Sequence, residues 1–223
     1  MMPKFRIEKA PRGLPTYVTG DHFAAIYGAC DTARMPGGFP FPVGDWWRGL
    51  VSMAYMTGWR ISDLLGLRRS DLDLDAGTAI TRAADNKPKR DERVKLHPVV
   101  VDHLRKLASF DPLVFPWHHH RRTLRTIFAE VQEAAGIKLP CGEKHGHTRF
   151  CHVYGFHDLR RAFATMNADK LRADALQALI RHKSYQTTQV YINMARQRDA
   201  AVASLHVPEI LRRPASRTGG SEG

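Results

Sequence analysis

The chain has 223 residues, with 34 Lys and Arg against 22 Asp and Glu, a formal charge of +12. Hydrophobic residues make up 43%, enough for a substantial core in one large domain or two small ones, which excludes a disordered basic tail. No apolar run is long enough to span a membrane, the first 20 residues lack a secretory-signal pattern, and neither end carries a bulky amphipathic helix for a lipid surface. Three cysteines, Cys30, Cys141 and Cys151, are too few for a disulfide framework and fit a reducing compartment, the cytoplasm. The excess charge leaves a nucleic-acid partner or merely a soluble basic surface.

In chain order, residues 34–44 hold three Pro and three Gly and read as a loop. Residues 45–67 read as helix, turn, helix: Trp47, Leu50, Val51, Ala54 and Tyr55 recur at helical spacing, Thr57-Gly58 interrupts them, and a second helix near Arg60 carries Ile61, Leu64 and Leu65. Short alternating pieces at 71–74, 78–83 and 93–96 predict a small antiparallel sheet, with the polar sequence DNKPKRDE as a charged hairpin tip. His97-Pro98 opens a helix running through Leu107, and residues 121–135 form another that buries Leu124, Ile127, Phe128 and Val131. Residues 156–207 look helical in three or four pieces, with polar breaks at 167–172 and 183–186. The last eleven positions, 213–223, lack apolar periodicity and are expected to be disordered. The fold class is α+β, mainly α, with one small antiparallel sheet.

In Gly155-Phe156-His157-Asp158-Leu159-Arg160-Arg161, His157 and Arg160 stand one helical turn apart, opposite an apolar stripe of Leu159, Phe163 and Met166. Alone, such a basic pair describes a solvated surface as well as an anion site. It has company: an Arg after a glycine break in TGWRISDLLGL, a Lys-rich hairpin, HDLRR, then RHKS and QTTQVYINM. In this order and spacing the chain resembles the catalytic domain of the tyrosine recombinases, the phage-integrase family. Their pattern is an Arg following TG, a Lys in a β-hairpin, HxxR, a His or Trp, and a Tyr further on. The resemblance runs from about Tyr17 to Val207 and carries over to Arg60, Lys87, His157, Arg160, His182 and Tyr191. Lys87 in NKPKR aligns best with the hairpin lysine, and Lys89, two positions on, points to the same side of an extended chain. Arg181 stands where the family usually has glycine before the His.

The resemblance implies a site-specific recombinase that cleaves and rejoins double-stranded DNA through a 3′-phosphotyrosine, requiring neither metal nor ATP. It also implies assembly of four protomers on paired sites, with residues 195–205 as a candidate exchange helix. The core-binding domain that usually precedes this catalytic domain has no counterpart here, so the expected division is an N-terminal extension (1–16), the catalytic domain (17–212) and a tail (213–223). The residue types suit this chemistry. Guanidiniums stay charged and fit non-bridging phosphate oxygens, Tyr191 needs a proton acceptor and nearby positive charge to act as a nucleophile, and a lysine beside other cations can protonate the leaving oxygen. A type IB topoisomerase has the same chemistry. A non-catalytic DNA-binding module and a metal-dependent nuclease are the alternatives from other classes, the last lacking any carboxylate cluster for magnesium.

Two further clusters stand apart. Cys141, His145, His147 and Cys151, followed by His152, supply soft ligands that suit a structural zinc, although a loop that merely happens to be rich in His and Cys has the same composition. His118, His119 and His120 with Arg121 and Arg122 form a basic run, either a solvated face or a contact to phosphate backbone.

Overall fold

Thr19 opens the first helix, α1 (Gly20–Gly28), its hydroxyl accepting the His22 backbone N–H at 3.3 Å. A 3₁₀ turn, Ala29–Thr32, continues it and buries Cys30. The Pro- and Gly-rich loop beyond it is held by the Trp47 indole N–H, which donates to the Met35 carbonyl at 2.6 Å. This is a computed structural model, and it describes residues 16–82, 91–141, 146–180, 188–190 and 192.

The next helix, α2 (Val43–Thr57), is buried around most of its circumference, and it lies at the centre of the fold. Trp46, Trp47, Leu50, Val51 and Met53 are fully buried along it. It stops at Gly58, which adopts a left-handed conformation at φ 64° and whose N–H bonds the Ala54 carbonyl. The stop redirects the chain: Arg60 is extended, and α3 (Ile61–Leu65) starts a separate helix immediately after it.

Strands β1 (Leu72–Asp73), β2 (Thr78–Thr81) and β3 (Glu92–Lys95) form the expected antiparallel sheet in the order β1-β2-β3, with Ala79 opposite both Leu72 and Val94. The strand expected to reach Ala83 ends at Thr81, and the hairpin tip from 83 to 90 lies outside the described residues. Pro98 begins α4 (Pro98–Arg105) at the first turn, where its missing N–H costs nothing, and the His97 ring caps it by accepting the Val99 N–H. In the same way His120 caps α5 (Arg121–Ala134), accepting the Arg122 N–H at 3.1 Å. Two more α-helices, α6 (Phe156–Asn167) and α7 (Ala173–Ile180), with 3₁₀ turns at Arg69–Asp71 and Arg149–His152 and a short helical piece at 188–190, complete the described elements.

The main core joins α2, α4, α5 and the start of α6. Trp47 stacks on Phe128 of α5, and Phe128 stacks on Phe156 at 4.4 Å between ring centroids. Removing an aromatic side chain from such a stack costs about 3–5 kcal/mol. A smaller cluster of Phe163, Ala164, Ala168, Leu176, Ile180 and Ile192 joins the far end of α6 to α7. The apolar stripe expected on α6 is buried at Leu159 and Phe163 only. Met166, 41% exposed, instead lines an open groove with Met56, Leu96 and Leu179. Among the described residues no helix is long and apolar enough to cross a membrane.

Candidate functional site

Gly58 and Arg160 are 102 positions apart in sequence, yet the Arg160 Nη1 donates to the Gly58 carbonyl at 2.6 Å and its Nη2 to the carbonyl of Ile180. One guanidinium thus ties together the turn that carries Arg60, helix α6, and the end of α7 that leads into the RHKS segment. Arg160 is 2% exposed. His157 and Arg160 therefore do not share a solvated face: His157 reaches the surface, while Arg160 turns inward where carbonyl oxygens receive its charge.

Gly58 is required here for two reasons. Its backbone is left-handed, and a Cβ would fall 2.8 Å from the Phe163 ring. The close approach seats the TGWR turn directly on α6. Arg60, two residues on, is half-buried, and its Nη1 has no hydrogen-bond partner among the described residues. A buried guanidinium nitrogen without an acceptor is costly unless an anion meets it.

His157 occupies the first turn of α6. Protein crowds the ring on its inner side, and this desolvation, followed by the positive fields of Arg161 and Arg160 and, more weakly, Arg60, holds its pKa below the ordinary histidine value, with Asp158 opposing. Asp158 itself is engaged by the Gly155 N–H at 2.7 Å and by Arg161 at 2.8 Å, which fixes the start of the helix. A neutral imidazole beside three guanidiniums can accept a proton while the arginines hold an anion.

The stretch of chain entering α6 is fixed by residues that no motif singled out. Gln132, fully buried on α5, donates to the Tyr154 carbonyl at 2.9 Å and accepts the Tyr154 N–H at 2.7 Å, and the Tyr154 hydroxyl pairs with His22 at 2.7 Å. The one signal in the sequence is a polar side chain at a position where the α5 stripe calls for an apolar one.

Of the six residues carried over by resemblance, the structure brings Arg60, His157 and Arg160 together. Lys87, with Lys89, and His182 and Tyr191 lie outside the described residues. Ile192, next to Tyr191 in the chain, is buried against the α6–α7 cluster. Cys141, His147 and His152 place their ligating atoms within 4.8 Å of one another, some distance along the chain before α6, and His145 lies outside the described residues. His118 pairs with Asp111, and His119 packs edge-on against Trp117, so the histidine run is partly structural.

A profile of the phage integrase family matches residues 16–198. The chain belongs to the phage integrase family. One relative of this integrase-family chain is the tyrosine recombinase XerC of Xanthomonas axonopodis pv. citri (strain 306), 30% identical over 220 residues, covering 95% of this chain and 65% of that protein. The chain thus spans less than two thirds of that relative's length. Among solved structures, the XerH site-specific recombinase bound to palindromic difH substrate superposes with a TM-score of 0.63 at 22% identity, covering 86% of this chain and 54% of that one. The catalytic domain of bacteriophage HP1 integrase gives a TM-score of 0.56 at 19% identity, covering 90% of this chain and 98% of that domain. These similarities bear out the mainly helical fold with its small sheet as that of an integrase-family catalytic domain.

Proposed function

We propose that this integrase-family chain is the catalytic unit of a site-specific DNA recombinase, comprising residues 17–212, that breaks and rejoins duplex DNA through a 3′-phosphotyrosine. The observation that carries this reading is the convergence of Arg60, whose buried nitrogen has no partner among the described residues, on Arg160 and a neutral-leaning His157. Such a group suits a phosphodiester whose charge rises on attack, and the resemblance carried by QTTQVYINM supports Tyr191 as its nucleophile.

In this mechanism the Tyr191 oxygen attacks phosphorus, the bond to the 5′ oxygen breaks, and the 3′ phosphate stays on the tyrosine. His157 takes the tyrosine proton, and Lys87 supplies one to the leaving 5′ oxygen. Arg60 stabilises the phosphorane directly, Arg160 adds its positive charge from beneath while holding the Arg60 turn against α6, and His182 donates a further hydrogen bond. Each such donor supplies about 3 kcal/mol, on the order of a hundredfold in rate. The phosphotyrosine retains the energy of the broken linkage, and the 5′ hydroxyl of either duplex can reverse the step. Neither metal nor nucleotide enters it. The reading also takes double-stranded DNA as partner and assembly on paired sites, as the XerH neighbour was solved with a DNA substrate.

The test is incubation with nicked and supercoiled DNA in EDTA, denaturation, and detection of protein covalently attached to DNA. An EDTA-resistant adduct that disappears in Tyr191→Phe supports the reading. Loss of cleavage in EDTA, or salt-sensitive binding with no adduct from nicked DNA, overturns it in favour of a nuclease or a passive binder.

A further inference from the structure

We propose that Cys141, His147 and His152, with Cys151 beside Cys141 as the fourth ligand, hold a structural zinc ion at the base of the chain leading into α6. The Cys141 Sγ stands 3.5 Å from the His147 Nδ1, about the separation that two ligands take on a tetrahedral zinc with bonds of roughly 2.3 Å to sulfur and 2.0 Å to nitrogen. The ligating atom of His152 lies within 4.8 Å of both. The Cys151 thiol interacts with that of Cys141, and it lies outside the group of three whose ligating atoms all fall within 4.8 Å of one another, so it completes the site by turning toward the ion.

The surroundings orient these side chains as ligands. The His152 Nδ1 lies 3.0 Å from the Leu139 carbonyl, an oxygen that can only accept, so Nδ1 carries the proton and Nε2 is left with its lone pair. The Cys151 sulfur accepts the Thr148 backbone N–H at 3.3 Å, which fixes its position at the start of the 149–152 turn. The Leu139 N–H bonds the His152 carbonyl at 2.8 Å, closing the base of the loop. None of the three cysteines is in a disulfide. Two sulfurs and two imidazole nitrogens select zinc over magnesium or calcium, and four protein ligands leave no open position, which makes the ion structural.

The loop needs such a fastening. His147, Thr148 and Arg149 are exposed and contribute nothing to the main core, while Val153 and Tyr154, shortly after them, are buried and lead directly to His157. The ion would extend the anchoring already given by Gln132 and by Arg149, which pairs with Glu133 at 2.7 Å.

The experiment is metal analysis of the full chain purified without chelator, alongside Cys141→Ser and His152→Ala. About one zinc per chain is expected in the wild type, falling to about a tenth or less in Cys141→Ser and His152→Ala. Because a variant can lose metal by misfolding, cobalt substitution of the wild type gives an independent readout. Intense visible bands of tetrahedral cobalt with a thiolate charge-transfer band are expected, and tryptic cleavage at Arg149 should accelerate when the metal is stripped. A wild type without stoichiometric zinc, a weak octahedral cobalt spectrum, or zinc retained in Cys141→Ser or in His152→Ala overturns the assignment.

Discussion

Arg60 and Arg160 carry the same charge in different surroundings, and their substitutions should differ accordingly. Arg60 has a buried nitrogen with no partner among the described residues, so Arg60→Ala should lower single-turnover cleavage by about 10²–10³-fold while the urea unfolding midpoint stays near that of the wild type. Arg160 bonds two carbonyls from distant segments, and Arg160→Ala should abolish cleavage and also cost about 2–4 kcal/mol in urea unfolding, because both carbonyls lose a buried donor. His157 has its pKa held below the usual value. If it accepts the tyrosine proton, cleavage needs the neutral ring and should persist to more acid pH than an ordinary histidine would allow. Arg161→Ala removes one of the cations responsible, so the acid limb of the pH–rate profile should move up toward the ordinary value. The unfolded chain binds this proton more readily than the folded one, so His157 also makes the fold less stable as pH falls below the ordinary histidine range.

At the scale of elements, the site depends on how α2 ends and how α6 begins. Gly58→Ala meets both a left-handed backbone and the Phe163 ring, and it should destabilise by more than about 1 kcal/mol, read by thermal or urea unfolding, with cleavage reduced because the Arg60 turn shifts off α6. Gln132→Leu should cost about 2–3 kcal/mol, since it leaves the Tyr154 N–H and carbonyl buried without their partner. The two cases differ in legibility. The Thr57-Gly58 break is evident from the pattern of α2, because glycine after an apolar helical run is a stop signal in itself. The reason this glycine tolerates no side chain is not, since Phe163 is remote in sequence. Gln132 is hidden more deeply: its partner is a backbone, and backbone groups leave no mark on the sequence.

For the whole molecule, the charge of +12 predicts DNA binding that weakens steeply with salt, with log K falling linearly against log salt concentration, and Arg60→Ala should reduce that slope by about one phosphate contact. The elements themselves were set by local rules. Trp47, Leu50, Val51 and Ala54 mark α2, Pro98 and His97 start α4, and the alternation at 78–81 marks β2, because helical and strand periods are written directly in the spacing of apolar residues. The order of TGWR, HxxR and the later tyrosine likewise determined the family from sequence alone, since motif order survives without coordinates. Only the tertiary structure decided that Arg160 is buried and bonded to Gly58 and Ile180, that His157 leans neutral, and that His152 joins Cys141 and His147. Burial, electric field and ligand distance depend on which remote segments meet, and that is settled by packing around α2 rather than by any local pattern.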